Sequence, residues 1–255
     1  MAERNPTIVF TRPTQVVIEQ RPMPEPAQGQ VLISTRRTLI STGTELTILS
    51  GDFPMDSAWS AYGKFPFVPG YDNIGEAIAV GSGVDDKWIG RRAASYGQHA
   101  RYVTVSADSL RPIDEKTPDE QAVFFTMAEI TLNGVRRGGV RLGDAVVVYG
   151  AGLVGQLAAR FCHLCGARPV IVVDRADQRL AKVPKNPSFV TLNPMTTDVG
   201  AQVRKETERR MADVVIEATG DQDLIPKEFG CLREQGTFVV LSSPRGKTAF
   251  DFHDL

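Results

Sequence analysis

The sequence predicts an α/β protein in two parts: a small barrel-like β domain, then a parallel sheet covered by helices. Three observations lead there. Short stretches rich in Val, Ile and Thr, punctuated by Gly and Pro, fill the first half. After about residue 118, apolar strand-like runs alternate with helical periodicity. Between one such run and one such helix lies Gly150-Ala151-Gly152-Leu153-Val154-Gly155.

In the first half, Thr7–Thr11, Gln15–Gln20 and Gln30–Ile40 read as extended. The segment Arg21-Pro22-Met23-Pro24-Glu25-Pro26 separates two of them, because proline cannot join a sheet ladder. Phe67–Val80 and Ala100–Val105 read as further strands. Many short strands of this kind suit a barrel.

From Asp119 to Arg137, apolar residues recur at helical spacing, with Pro118 placed to start a helix. Ala145–Tyr149, Val170–Asp174, Asp213–Ala218 and Thr237–Leu241 then read as strands, and Leu153–Leu164 as a helix. Near-continuous Val/Ile runs are what strands buried on both faces need, and the alternation implies a parallel sheet. The expected domains are residues 1–117 and 118–255.

Composition excludes several classes. Lys plus Arg number 29 and Asp plus Glu 30, giving a net charge of −1; without a basic block, nucleic acid is not an expected partner. No apolar run reaches membrane-spanning length. Residues Met1–Pro6 lack the apolar region of a signal peptide. The 3 cysteines are too few for a disulfide framework, so a reducing, cytoplasmic setting is expected. Two of them, in Cys162-His163-Leu164-Cys165, fall within the predicted helix, where packing explains them better than metal or redox chemistry.

The glycine run carries the strongest chemical signal. Gly150 permits a tight turn, Gly152 lets a pyrophosphate approach the backbone, and Gly155 lets the helix pack on the strand. The amides at the helix start, including Leu153 and Val154, then face the phosphates. Asp174 ends the next strand, about twenty residues on, where a carboxylate accepts ribose hydroxyls and repels a 2′-phosphate. NAD is therefore expected over NADP, although Arg175 and Arg179 can accommodate a phosphate. Ala218-Thr219-Gly220 and Leu241-Ser242 follow two further strands, at the carboxyl ends where open α/β sheets bind ligands.

These features resemble the medium-chain dehydrogenases/reductases, which join a chaperonin-10-like β-barrel to a Rossmann domain. The resemblance is also carried by Pro69-Gly70-Tyr71-Asp72-Asn73-Ile74-Gly75 with Val80-Gly81-Ser82-Gly83-Val84, and by Arg136-Arg137-Gly138-Gly139-Val140 with Leu142-Gly143-Asp144. Ser41-Thr42-Gly43-Thr44-Glu45 together with Pro69-Gly70-Tyr71 is similar to the bacteriochlorophyllide dehydrogenase branch.

The departures are informative. Zinc-type members hold the metal through a Cys, a His and a third Cys or Glu. The matching positions here are Thr42, Tyr71 and Thr126, and no cysteine lies between Val84 and Arg101, where the structural zinc lobe falls. No zinc is expected, with a rearranged site of Glu45, Asp72 and His99 as the remaining option. Without metal, a hydroxyl or imidazole must polarise the carbonyl and handle its proton. The resemblance puts Thr44 at the Ser/Thr that touches substrate oxygen and Tyr71 at a former ligand position, as acid or as packing; His99 is a proton relay or a structural histidine. Glu129 and Tyr62 are weaker candidates.

The resemblance implies an NAD-dependent, zinc-independent oxidoreductase acting on a small alcohol or carbonyl, such as a polyol or hydroxylated ring. The alternatives are an enoyl or quinone reductase of the same superfamily, or a non-catalytic dinucleotide-binding protein. The Rossmann half is expected to be truncated at its C-terminus, since members usually continue through a sixth strand. Family dimers form along that strand, so a homodimer is left open.

Overall fold

The computed structural model describes residues 4–250. The chain divides into two compact units, Met1–Thr126 and Met127–Leu255.

The first unit is antiparallel. Strands β1 (Arg4–Arg12) and β2 (Gln15–Pro22) form a hairpin. Strands β3 (Gln30–Thr38), β4 (Asn73–Val80), β5 (Arg92–Ser95), β6 (Tyr102–Ser106) and β7 (Arg111–Pro112) form a 5-stranded sheet in the order β6-β3-β4-β5-β7. Bridges Thr7↔Ala100 and Phe10↔Phe67 join β1 to the rest. Val31, Ile33, Ala77, Ala93 and Val103 pack together as its core. The strand expected from Phe67 begins only at Asn73, because Pro69 and Gly70 (φ +110) interrupt the extended run. Two short helices precede β4: α1 (Thr44–Ser50) and α2 (Ala58–Tyr62).

The helix expected over 119–137 is broken into α3 (Asp119–Ala122) and α4 (Phe125–Arg137). At the break, Val123 is buried with Ile74 and Ala94, and Phe124 and Phe125 pack against them. Asp119 receives Arg36 at 2.8 Å and Arg92 at 2.7 Å. These ties hold 118–126 in the first unit, so the units divide later than the change of sequence pattern at residue 118.

The second unit is a parallel sheet of β8 (Val146–Tyr149), β9 (Val170–Val173), β10 (Phe189–Leu192), β11 (Ala212–Glu217) and β12 (Leu232–Val240). Its order is β10-β9-β8-β11-β12. Helices α5 (Leu153–Leu164), α6 (Asp177–Leu180), α7 (Val199–Glu206) and α8 (Ile225–Phe229) connect the strands. Alternate residues of β8 serve opposite cores: Val146 and Val148 pack with Ala158 and Cys162, whereas Val147 and Tyr149 pack with Val203 and Cys231. This two-faced burial is the physical reason for the unbroken valine runs, and the order is that of a doubly wound Rossmann sheet. Successive strands step outward from β8 in both directions, so the switch point lies at its carboxyl end, where the glycine run begins.

Candidate active site and dinucleotide cradle

The glycine turn follows β8 directly. Gly150 has φ +92, and a Cβ there would lie 2.7 Å from the Ala218 carbonyl oxygen. At Gly155 a Cβ would fall 1.7 Å from the Gly150 oxygen, so α5 can cross the turn only without a side chain. At Gly152 the same test meets nothing within 4 Å. That open space sits at the N-cap of α5, where no side chain takes the free amides of Leu153 and Val154. An uncapped helix start beside an open glycine fits a pyrophosphate.

Asp174 follows β9 and is buried. One carboxylate oxygen accepts the Ala151 amide at 2.8 Å and the other the Ala176 amide at 2.8 Å. The Arg179 guanidinium lies 3.6 Å away and is exposed, as is Arg175. The acid therefore shapes the glycine turn itself.

The turns after β11 and β12 are built on the side chain of Glu217, the residue that precedes Ala218-Thr219-Gly220. Its Oε1 accepts the Thr219 amide at 2.5 Å, the Thr219 hydroxyl at 2.7 Å and the Gly220 amide at 2.8 Å. Its other carboxylate oxygen takes the Ser242 hydroxyl. Its backbone oxygen accepts the amides of Leu241 at 2.9 Å and Ser242 at 3.2 Å. Ala218–Gly220 and Leu241–Ser242 are thus neighbours.

In the first unit a second polar cluster forms around the residue pair expected to handle a proton. The Tyr71 hydroxyl donates to Ser41 Oγ at 2.5 Å and lies 3.4 Å from Thr44 Oγ1. Burial is the main cause that raises the Tyr71 pKa, so the phenol keeps its proton. His99 is not in this contact. Its Nε2 pairs with Glu45 Oε2 at 2.8 Å, and Glu45 Oε1 accepts the Ser41 amide at 3.2 Å. His99 and Glu45 are both buried, so the histidine braces Ser41 from behind. Asp72 accepts the Thr126 amide through Oδ1 at 3.1 Å. Its Oδ2 and His99 Nδ1 have no partner among the described residues. Burial pushes the Asp72 carboxyl up to about 6.

The residues at the family's metal positions do not fit zinc. Thr126 Oγ1 is spent on the Tyr71 carbonyl oxygen at 3.1 Å, and Tyr71 is spent on Ser41. Among the described residues no group of three or more His, Cys, Asp or Glu is placed to hold a metal ion. Cys162 is buried whereas Cys165 is exposed at the end of α5, and neither is in a disulfide. Glu129 is exposed on α4, and Tyr62 packs edge-on to Phe67.

The family model "Zinc-binding dehydrogenase" matches residues 154–255. A D-guloside 3-dehydrogenase of Escherichia coli (strain K12) is 33% identical over 188 residues, covering 72% of this chain and 53% of that protein. The chain belongs to the medium-chain dehydrogenase/reductase superfamily. It spans about half the length of the curated relatives it matches first. Two solved structures share the medium-chain fold. One, described as a zinc-binding dehydrogenase from Sinorhizobium meliloti 1021 bound to NADP, is 21% identical with a TM-score of 0.86, covering 99% of this chain and 81% of that one. The other, described as a short chain alcohol dehydrogenase from Escherichia coli CFT073 complexed with NADH, is 22% identical with a TM-score of 0.81, covering 92% and 75%. No helix among the described residues is long and apolar enough to cross a membrane.

Proposed function

We propose that this medium-chain chain is an oxidoreductase that moves a hydride between NAD(H) and a small alcohol or carbonyl compound, without zinc. The observation that carries the reading is the turn Gly150–Gly155, with open space over Gly152 and uncapped amides at the start of α5. Leu153 and Val154 amides would hold the pyrophosphate, and Asp174 would take the adenosine ribose. The turns Ala218–Gly220 and Leu241–Ser242 would border the nicotinamide half. When bound, the nicotinamide supplies or accepts the hydride.

The chain's own residues supply the rest. Tyr71 keeps its proton, so it is a poor base and would serve as donor to a carbonyl oxygen once its hydroxyl turns from Ser41. Thr44 lies within reach of the same phenol and would position the substrate oxygen. His99, through Glu45, would keep Ser41 in place. The D-guloside relative is named for a sugar substrate, which favours a polyol or hydroxylated ring. The carboxylate of Asp174 favours NAD over NADP.

Chelator-treated protein titrated with NADH and NADPH, followed by nucleotide fluorescence, tests this. Metal-free preference for NADH, then NADH oxidation with one member of a panel of carbonyl sugars, is the expected result. Binding without turnover on any carbonyl would point to a dinucleotide-binding protein instead. Absence of binding to either nucleotide would overturn the reading.

A further inference from the structure

Two carboxyls of the second unit are completely buried, Glu217 at the end of β11 and Glu228 on α8. Glu217 is surrounded by donors: the amides of Thr219 and Gly220 and the hydroxyls of Thr219 and Ser242. That environment satisfies an anion. Glu228, on α8, is the opposite case. Neither of its carboxyl oxygens has a hydrogen-bond partner among the described residues.

Among the described residues, the charged groups that act on Glu228 offer it no counter-charge. Glu217 from β11 and Asp221 from the turn beyond it both act on it as like charges. The Tyr149 hydroxyl of β8 and the Cys231 thiol, which bond to each other at 3.1 Å, also feel its charge. Asp198, at the N-cap of α7, adds another acid near Cys231. A buried anion with acids around it and no donor is strongly disfavoured, so the side chain is held as the neutral acid. Burial and the two acids push it up to about 8.

We propose that Glu217 and Glu228 form a carboxyl pair that makes the cofactor-side turns sensitive to protons. Glu217 is the positioning residue. As an anion it fixes Thr219, Gly220 and Ser242 while Glu228 carries its proton. Loss of that proton to solvent places a second negative charge behind Glu217 and forces α8 and the turns to loosen. The consequence for cofactor binding rests on the dinucleotide reading above; the proton linkage of the turns does not.

The test pairs two readouts at pH 7 and pH 9. One is NADH affinity by fluorescence. The other is hydrogen-exchange protection of the 217–222 segment without nucleotide, corrected for intrinsic exchange. In the wild type, NADH affinity should weaken about tenfold between the two values, as one unit of proton linkage implies, and protection should fall in parallel. Glu228→Gln keeps the shape without the charge, so both readouts should become flat. Glu217→Gln should weaken NADH at both values while leaving the melting transition cooperative. Glu228→Met provides a second neutral side chain should Gln be poorly accommodated. Wild-type protection that does not change with pH, or a pH dependence that survives in both neutral variants, would overturn the proposal. If NADH binds at neither pH, the dinucleotide reading fails and the protection factors still decide this one.

Discussion

The Tyr71 hydroxyl and Ser41 Oγ lie 2.5 Å apart, with Thr44 Oγ1 at 3.4 Å from the same phenol. A phenol so held has its oxygen fixed in place, and only its proton must turn from Ser41 to reach a substrate oxygen. Tyr71→Phe keeps the ring and removes only the hydroxyl. Turnover should fall by about 100-fold, the usual range for a lost general acid. Stability should fall by only about 1 kcal/mol, the typical net value of one hydrogen bond. Steady-state kinetics and a thermal melt on the same sample check both. Unchanged kcat would return Tyr71 to a packing role.

Asp72 gives a prediction with a sign. Its folded carboxyl is pushed up to about 6 by burial, from 3.8. The folded state therefore holds this proton where the unfolded chain has lost it. Its contribution is most favourable in acid, declines as pH rises from about 3.8 to about 6, and stays low above that. Asp72→Asn retains Oδ1 to accept the Thr126 amide and has no charge to bury. The difference in melting temperature between Asp72→Asn and wild type should grow in favour of the variant across pH 4–6, then level off. By pH 7 the corresponding stability difference should amount to about 3 kcal/mol. A difference that is flat with pH would mean that the buried carboxyl titrates normally.

Much of the dinucleotide half was legible in the residues, because its signals are local. The strand, glycines and helix at 145–164 are contiguous, and Leu153–Leu164 is helical over the expected span. The strand at Phe189–Leu192 escaped notice because it is only 4 residues long, at the sheet edge and half-buried, so neither length nor hydrophobic run marks it. The polar clusters were illegible for a different reason. Glu217 meets Ser242 across 25 positions, and Tyr71 meets Ser41 across 30. No periodicity encodes which hydroxyl a buried acid or phenol will find. The family resemblance marked Tyr71 through a former ligand position and Thr44 through the hydroxyl at the substrate oxygen, while the roles of Ser41, Glu45 and Glu217 depend on the folded register alone.

Gly155 tests the turn by size. An added Cβ would sit 1.7 Å from the Gly150 oxygen, a backbone atom that cannot rotate away. Gly155→Ala must push α5 from β8 or reshape the turn. Overpacking of this kind costs about 3 kcal/mol, so the melting temperature should drop by roughly 6–12 °C. NADH affinity should fall as well, since the amides of Leu153 and Val154 move with the helix. Gly152→Ala is the control, because its Cβ meets nothing within 4 Å. It should melt like the wild type and still bind NADH poorly, by filling the space the pyrophosphate needs. Equal behaviour of the two variants would sink the distinction between packing glycine and ligand glycine.

Asp174 has two duties that one ratio can separate. Its carboxylate accepts the Ala151 and Ala176 amides at 2.8 Å each, and losing those bonds disturbs the glycine turn for any dinucleotide. Its charge should weigh against NADPH alone, through repulsion of the 2′-phosphate. Asp174→Ala should therefore weaken NADH through both effects. NADPH loses the turn support but gains relief from repulsion, with Arg175 and Arg179 exposed beside the site to meet the phosphate. The NADH to NADPH preference should shift by on the order of 100-fold towards NADPH, about 2.7 kcal/mol. Adding Arg179→Ala should return part of that shift, because the guanidinium 3.6 Å from the carboxylate is the nearest cation to replace it. Equal weakening of both nucleotides would show that Asp174 acts only as a brace for the turn, and cofactor choice would then have to rest on other residues.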